Sequence, residues 1–425
     1  MLGQASFRRA HRIEKLCREC GFCKHMISCL SEEECVGCGA CVDACPYAAK
    51  ILEEEHVKRP FTTIRVDGEP FQVPEGITIL RALELLGHRV SRIPDSGAIY
   101  APCRSGGCWS CAVVVNGELR PSCVTPLRAG DVIETRSGAV ESLVPLRCVS
   151  GFQGHSVGGV GTPYWLKSSS WLSSYIETAC FAHGCILRCP TCQNWEVTYS
   201  SVVPPLTPRK AAEKMTKARE RYGVDRMAIS GGECTLNPRW LLQYMAELKN
   251  MNSDKRARLH VDTNAVVLTP EFVDALVRAG MTDIGPDIKG LRLDTFLRIT
   301  GLADRELAEN LLKNEWRAVE YLLKTYWNEL FIGIGIPYNS KLMSLDEVSR
   351  IGDRIASYEP RVQVCVLDYR PEFRRQDIVK PTYDEMAHVK KTLEDTGLEC
   401  VICQTERGHI GPSLKDHICD EVSMT

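Results

Sequence analysis

The segment Cys185-Ile186-Leu187-Arg188-Cys189-Pro190-Thr191-Cys192 constrains this chain more than any other part of it. Its three thiols, spaced C-x3-C-x2-C, are one short of the four that close a [4Fe-4S] cube. A complete set would make an electron carrier. An incomplete set leaves one iron for an outside ligand, and an open metal position is where substrate chemistry takes place.

Cysteine is abundant elsewhere too, 22 among 425 residues. Disulfide scaffolds of that richness are short and secreted, whereas a long chain with clustered C-x2-C units is expected to bind metal. Fifteen of the 22 fall into three groups with cluster spacing; Cys148, Cys180, Cys234, Cys365, Cys400, Cys403 and Cys419 do not. So much thiolate-bound iron points to an anaerobic setting. The net charge of -2, from 52 basic and 54 acidic residues, gives no reason to expect nucleic acid or an anionic membrane as partner. No run of about 18 apolar residues is present, and the basic start at Phe7–Arg12 leads into no apolar signal core. A cytoplasmic protein of two or three domains is expected.

Residues 1–58 read as a cluster-binding domain. Cys35-x2-Cys38-x2-Cys41-x3-Cys45-Pro46 is the bacterial ferredoxin run, preceded by Cys17-x2-Cys20-x2-Cys23 and Cys29. These eight suit one or two further [4Fe-4S] clusters, with Cys17, Cys20, Cys23 and Cys45 on one and Cys29, Cys35, Cys38 and Cys41 on the other. A zinc site at 17–29 is the alternative. Residues 59–140 form a second unit. Two strands flank an Asp67-Gly68 turn, a short helix over 80–86 stops at Gly87, and a strand over 112–115 turns at Asn116-Gly117. Cys103-x4-Cys108-x2-Cys111 with Cys123 has plant-type [2Fe-2S] spacing, and the order of elements resembles the β-grasp ferredoxin module. Residues 141–174, rich in glycine and serine, read as a linker, and 411–425 as a tail.

From 175 to 410 strand-like apolar runs alternate with helices. Thr207-Pro208 and Thr269-Pro270 announce helix starts closed by Gly223 and Gly280, and Ser344/Glu347 and Thr382/Glu385 read as capping boxes. Six or seven such units imply a buried parallel sheet, and are too few for an eight-fold barrel. An α/β partial (β/α)6 barrel fits. In a parallel barrel the active site lies at the carboxyl ends of the strands. Behind successive strands stand the Cys185/Cys189/Cys192 loop, Ser230-Gly231-Gly232-Glu233, Asp262-Thr263-Asn264 and Asp287-Ile288-Lys289.

The three-cysteine loop resembles the signature of the radical S-adenosylmethionine (radical SAM) superfamily. The Asp-Thr-Asn and Asp-x-Lys pair, with Cys192-Gln193-Asn194-Trp195-Glu196 and Asp368-Tyr369-Arg370-Pro371, is similar to the pyruvate formate-lyase activating enzyme branch. The resemblance covers about 175–405. It implies that the open iron chelates the amine and carboxylate of SAM. Gly231 and Gly232 would let the backbone approach the methionyl amine, with Glu233 as its negative partner. Lys289 would meet the carboxylate, and Asp262 and Asp287, with Thr263, would share a monovalent cation. Two departures stand out. Thr191 replaces an aromatic residue that contacts adenine, leaving Trp195 or a later residue to substitute, and Cys234 replaces the proline after Gly-Gly-Glu.

The resemblance further implies reductive cleavage of SAM to a 5′-deoxyadenosyl radical that takes hydrogen from an unactivated C–H bond. A low-potential electron donor of ferredoxin or flavodoxin type and a protein or peptide substrate would be the partners. A cobalamin-dependent C-methyltransferase acting on a protein such as methyl-coenzyme M reductase is one alternative, although no Asp-x-His-x2-Gly motif occurs. A multi-cluster electron carrier without SAM chemistry is the other. Cys400 and Cys403, three apart on a strand, should face opposite ways.

Overall fold

The computed structural model describes residues 7–27, 29, 33–166 and 175–411. The expected tail beyond Gly411, with Cys419, lies outside the described residues.

Seven strands form the parallel part of the largest sheet: β1 (Glu177–Ala182), β2 (Arg226–Gly231), β3 (Arg258–Thr263), β4 (Asp283–Pro286), β5 (Phe331–Tyr338), β6 (Gln363–Asp368) and β7 (Cys400–Thr405), paired in that order. Six connections carry helices α1 (Pro208–Tyr222), α2 (Pro238–Met251), α3 (Pro270–Arg278), α4 (Arg305–Tyr326), α5 (Leu345–Ala356) and α6 (Tyr383–Glu394). All eight residues of β5 are buried, as a strand covered on both faces requires. The helix starts lie where the sequence puts them. Thr207 and Thr269 accept from Lys210 N–H and Phe272 N–H, each with proline following. Such caps contribute about 1 kcal/mol each. Thr382 and Glu385 form the full capping box. At Ser344 only half of it forms. Ser344 caps the Glu347 N–H, but the Glu347 carboxylate turns inward to Leu291 N–H, Arg292 N–H and the Thr295 hydroxyl. Two donors from a neighbouring loop and one from the helix Leu293–Thr300 outweigh one exposed N–H.

The expected linker over 141–174 is corrected by the structure. Arg147–His155 is a nine-residue strand antiparallel to β1, and the chain from 156 to 166 then runs into the hollow of the sheet. There the Arg226 guanidinium donates to the Thr162 hydroxyl (2.6 Å) and the Gly161 carbonyl (2.9 Å), and Gln363 donates to the Thr162 carbonyl (2.8 Å). A Cβ on Gly159 would lie 2.6 Å from the Asp262 carboxylate, and one on Gly161 would lie 2.7 Å from Gly285 Cα. One short segment thus touches β2, β3, β4 and β6, so the sheet curls around it. Glycine is frequent here because side chains do not fit. Residues 167–174 lie outside the described residues.

The 59–140 unit is a five-stranded mixed sheet. Hairpins Phe61–Val66/Glu69–Pro74 and Ala112–Val115/Glu118–Pro121 flank Val132–Glu134, which runs parallel to the first strand. The helix Ile79–Leu85, capped by Thr78, buries Ile79 and Leu83 with Ile64, Val73, Val113 and Ile133. Both expected turns have positive φ at each central residue, 50° and 93° at Asp67-Gly68 and 51° and 87° at Asn116-Gly117. In the first domain Phe7–Arg12 pairs antiparallel with Lys50–Glu55, closing over the cysteine segment.

Candidate active site

The carboxyl ends of the parallel strands and the 185–192 loop enclose a cavity of about 280 Å³. Cys185, Cys189 and Cys192 line it, facing Gly231, Gly232, Asp262, Thr263, Asn264, Asp287 and Lys289. Of the residues expected at this site, Glu233 does not line it. Burial pushes the Cys185 and Cys189 thiols up to about 12 and Cys192 to about 11, so without a metal they stay protonated. Iron ligation is what would ionise them. Among the described residues no three thiol, imidazole or carboxylate groups are placed to hold a single metal ion. The three thiols stand around a shared space, as ligands to separate irons of one cluster must.

The two glycines are required by close approach. Gly231 has φ 109°, and a Cβ on it would lie 2.6 Å from Ala182 N and O; on Gly232 it would lie 2.5 Å from the Gly184 carbonyl. The Gly232 and Glu233 N–H groups are spent on the Ala182 and Gly184 carbonyls (2.8 and 2.9 Å). This ties the β2 end to the strand that feeds the cysteine loop. Glu233 has a different position from the one expected. Its carboxylate is buried and accepts from Thr235 N–H, the Thr235 and Thr263 hydroxyls and Asn264 N–H, at 2.6 to 3.0 Å. It holds the β2 and β3 ends together and faces no open space. Asn264, which it positions, donates weakly to the Cys185 sulfur at 3.7 Å.

The two acids are individually matched. Asp262 bonds His260 Nε2 at 2.5 Å, and although burial opposes its charge, His260 and Arg226 hold its carboxyl below the usual range. Asp287 pairs with Lys289 through Oδ2, while its Oδ1 is buried without a partner. Burial works against the Lys289 ammonium, but the Asp287 carboxylate beside it outweighs that and holds it charged. Tyr369 lines the cavity and places its hydroxyl 3.3 Å from Lys289 Nζ. A cationic ammonium, an unspent carboxylate oxygen and exposed strand-end backbone suit a zwitterionic amino acid moiety beside a cluster.

One substitute role is corrected. Trp195 does not line the cavity; its ring stacks on Phe373 at 5.2 Å and meets Phe22 at 4.8 Å, because a cluster of aromatics under the first domain draws it away. Cys234 is buried, and its thiol donates to the Asp262 carbonyl at 3.0 Å. Cys400 and Cys403 are both buried.

The other cysteines gather in sets. Hydrogen bonds from Cys108 and Cys123 hold the Cys103 thiol low, and Cys123 does the same for Cys111, so these four buried thiols converge. Cys23 has Cys45, Cys20 and Cys17 as electrostatic neighbours; Cys41 has Cys38, Cys29 and Cys35. Each set falls within one of the two groupings that the spacing suggests for one or two clusters.

Sequence reasoning missed the residue that joins these loops. Arg188, inside the C-x3-C spacer, donates to the Asp43 carboxylate (2.8 Å) and to the carbonyls of Cys103 (2.6 Å), Cys185 (2.7 Å) and Leu187 (3.0 Å). Arg374 adds bonds to the Val42, Asp43 and Cys45 carbonyls, and its own N–H donates to the Pro190 carbonyl. Gly184, next to Cys185, packs so tightly on the second domain that a Cβ there would lie 3.1 Å from the Cys103 sulfur. The place of Arg188 was legible in the motif; its partners, far away in sequence, were not.

The family model for the radical SAM superfamily matches residues 180–335, that for a 2Fe-2S iron-sulfur cluster binding domain matches 60–138, and that for a 4Fe-4S binding domain matches 29–51. An uncharacterized iron-sulfur protein of Methanocaldococcus jannaschii is 42% identical over 71 residues, 16% of this chain and 14% of that protein. Among solved structures, Streptococcus suis SuiB bound to S-adenosylmethionine is 15% identical with a TM-score of 0.35, covering 50% of this chain and 42% of its own. Native anSMEcpe with bound AdoMet is 15% identical with a TM-score of 0.34, covering 50% and 57%. The chain thus spans well under two thirds of the relatives it matches. It carries a radical SAM domain preceded by 4Fe-4S and 2Fe-2S domains, and with that domain come SAM and a [4Fe-4S] cluster as cofactors.

Proposed function

We propose that this radical SAM enzyme abstracts hydrogen from an unactivated C–H bond of a protein or peptide partner, using electrons relayed through its amino-terminal clusters. The observation that carries the reading is the shared cavity: three thiols of the C-x3-C-x2-C loop facing the ends of β2, β3 and β4. When bound, the cluster and SAM supply the chemistry, one electron cleaving the C–S bond to give methionine and a 5′-deoxyadenosyl radical. The chain's own part is binding, orientation and exclusion of water. Lys289, held charged by Asp287, is set to receive the SAM carboxylate. Asp287 Oδ1 and the β2 end are set to receive the amine or a monovalent cation. Gly231 and Gly232 line the same space.

Electron delivery is supported by the packing of Gly107 and Cys103 onto His183 and Gly184, which brings the 2Fe-2S loop directly beside the SAM loop. Two [4Fe-4S] quartets in the first domain would extend the relay. A protein or peptide substrate is favoured by the resemblance to activating enzymes carried by Asp262-Thr263-Asn264 and Asp287-Ile288-Lys289.

The test is anaerobic reduction of the reconstituted protein with SAM, followed by mass spectrometry. 5′-Deoxyadenosine formation that disappears in Cys185→Ala, Cys189→Ala and Cys192→Ala is expected. Additional S-adenosylhomocysteine would redirect the assignment to methyl transfer. A reduced-cluster EPR spectrum unchanged by SAM would defeat the radical SAM reading and favour an electron carrier.

A further inference from the structure

A second cavity, about 670 Å³, opens between the two amino-terminal domains and the 185–192 loop, with Cys38 and Cys123 among its lining. Arginine dominates it: seven arginines stand against three acids, Asp43, Glu84 and Asp304. Those acids are already shared out. Asp43 takes Arg188 at 2.8 Å, Glu84 takes Arg81 at 3.1 Å and Arg104 at 3.5 Å, and Asp304 caps α4 through Leu307 N–H. Arg59 pairs with Glu55 at 2.7 Å. Arg92 and Arg374 donate to main-chain carbonyls, and Arg374 also lies over the Phe373 ring. The Nε atoms of Arg92 and Arg104 are buried and have no hydrogen-bond partner. Burial, then the charges of Arg188 and Arg104, push the Arg92 guanidinium down to about 10.

Guanidiniums crowded in a partly desolvated space repel one another, and their unspent donors carry a desolvation cost. Both costs fall if an anion fills the cavity. The donors come from separate elements, the 90–104 region, the helix Ile79–Leu85 and the strand Phe7–Arg12. They therefore converge from several directions. A tetrahedral phosphate can accept from several directions at once, whereas a carboxylate accepts mainly in its own plane. We propose that this cleft binds a phosphorylated small molecule carrying at least two negative charges, with Arg92 and Arg104 as principal ligands and Arg81 and Arg8 completing the charge balance. The bound anion bridges both amino-terminal domains and the cysteine loop, next to two candidate cluster ligands. The site stands independently of the reaction assigned to the other cavity.

Isothermal titration calorimetry of the anaerobically reconstituted full chain with inorganic pyrophosphate, at fixed ionic strength, tests this. Saturable one-to-one binding is expected, weakened by roughly tenfold or more in Arg92→Gln and in Arg104→Gln, as loss of a charged hydrogen bond predicts. Arg407→Gln, on an exposed carboxy-terminal turn, should bind as the parent does. The visible absorption of the clusters checks that each variant is loaded. If Arg92→Gln fails to load, the more exposed Arg104→Gln decides. Absence of pyrophosphate binding at millimolar concentration overturns the proposal, as does equal binding by a loaded Arg104→Gln. Binding only of an acidic protein carrier, with no competition by pyrophosphate, also overturns it in favour of a macromolecular partner.

Discussion

Replacing Arg188 by glutamine should loosen the junction of the three cluster-bearing loops without unfolding the sheet. The side chain is 14% exposed and makes four charged contacts, one to Asp43 and three to carbonyls. Hydrogen bonds to a charged group contribute about 1.5–3 kcal/mol each, but they are not additive and glutamine keeps one or two. The Asp43 carboxylate is 31% exposed, so its pairing alone is worth no more than about 1 kcal/mol. A net loss of about 3 kcal/mol follows, chiefly from carbonyls left without a donor. At a factor of ten per 1.4 kcal/mol, the open junction becomes on the order of a hundredfold more populated. Anaerobic hydrogen–deuterium exchange reads this locally. Peptides spanning 185–192 and 40–45 should exchange about a hundredfold faster, with β3 and β5 unchanged. Asp43→Asn should shift the same peptides by tenfold at most. Unchanged protection at 185–192 would refute the reasoning, and so would uniform loss across the sheet, which would make Arg188 a global stabiliser rather than a junction.

Three further outcomes are expected. Gly161→Val should destabilise the protein by about 1–3 kcal/mol in urea unfolding, the cost of overpacking, because its side chain meets His260 and Gly285; an ordinary linker would tolerate it within about 0.5 kcal/mol. Gly232→Ala should raise the SAM dissociation constant at least tenfold, roughly 1.4 kcal/mol, while the cluster absorption persists, since the added methyl collides with the Gly184 carbonyl that ties down the β2 end beside the cavity. Glu315 is fully buried beneath Lys289 with its carboxyl raised by burial above the ordinary value of 4.5. A carboxyl raised on folding contributes stability below pH 4.5 that is lost as pH climbs toward its folded value. Glu315→Gln keeps the acceptor for Lys289 N–H and should be more stable than the parent, by a margin that widens from pH 5 to pH 8 in denaturant melts.

Much of the site was legible because its chemistry is local. Cysteine spacing groups the thiols that the fold then brings near one another, and Asn116-Gly117 or Thr382/Glu385 specify a turn or a cap within four residues. Glu233, Trp195 and the 147–166 segment were read differently from what the structure holds, for one reason. Each is decided by partners distant in sequence: Thr263 and Asn264 for Glu233, Phe22 and Phe373 for Trp195, Arg226 and Gln363 for the glycine segment. Glycine in a sequence signals backbone freedom, and the same residue serves a loose connection or a packed wall where no side chain fits.

What the sequence determined by itself is the inventory: fifteen cysteines in three groups with cluster spacing, and the strand-end motifs that line a cavity. Tertiary structure alone decided their arrangement. It brought Cys103 beside Gly184, closed Arg188 over three loops, turned Glu233 from a ligand into a brace and gathered seven arginines around one cleft. The physical reason is range. Spacing rules act over a few residues, whereas burial, charge and hydrogen bonding act through space between residues the chain order keeps far apart.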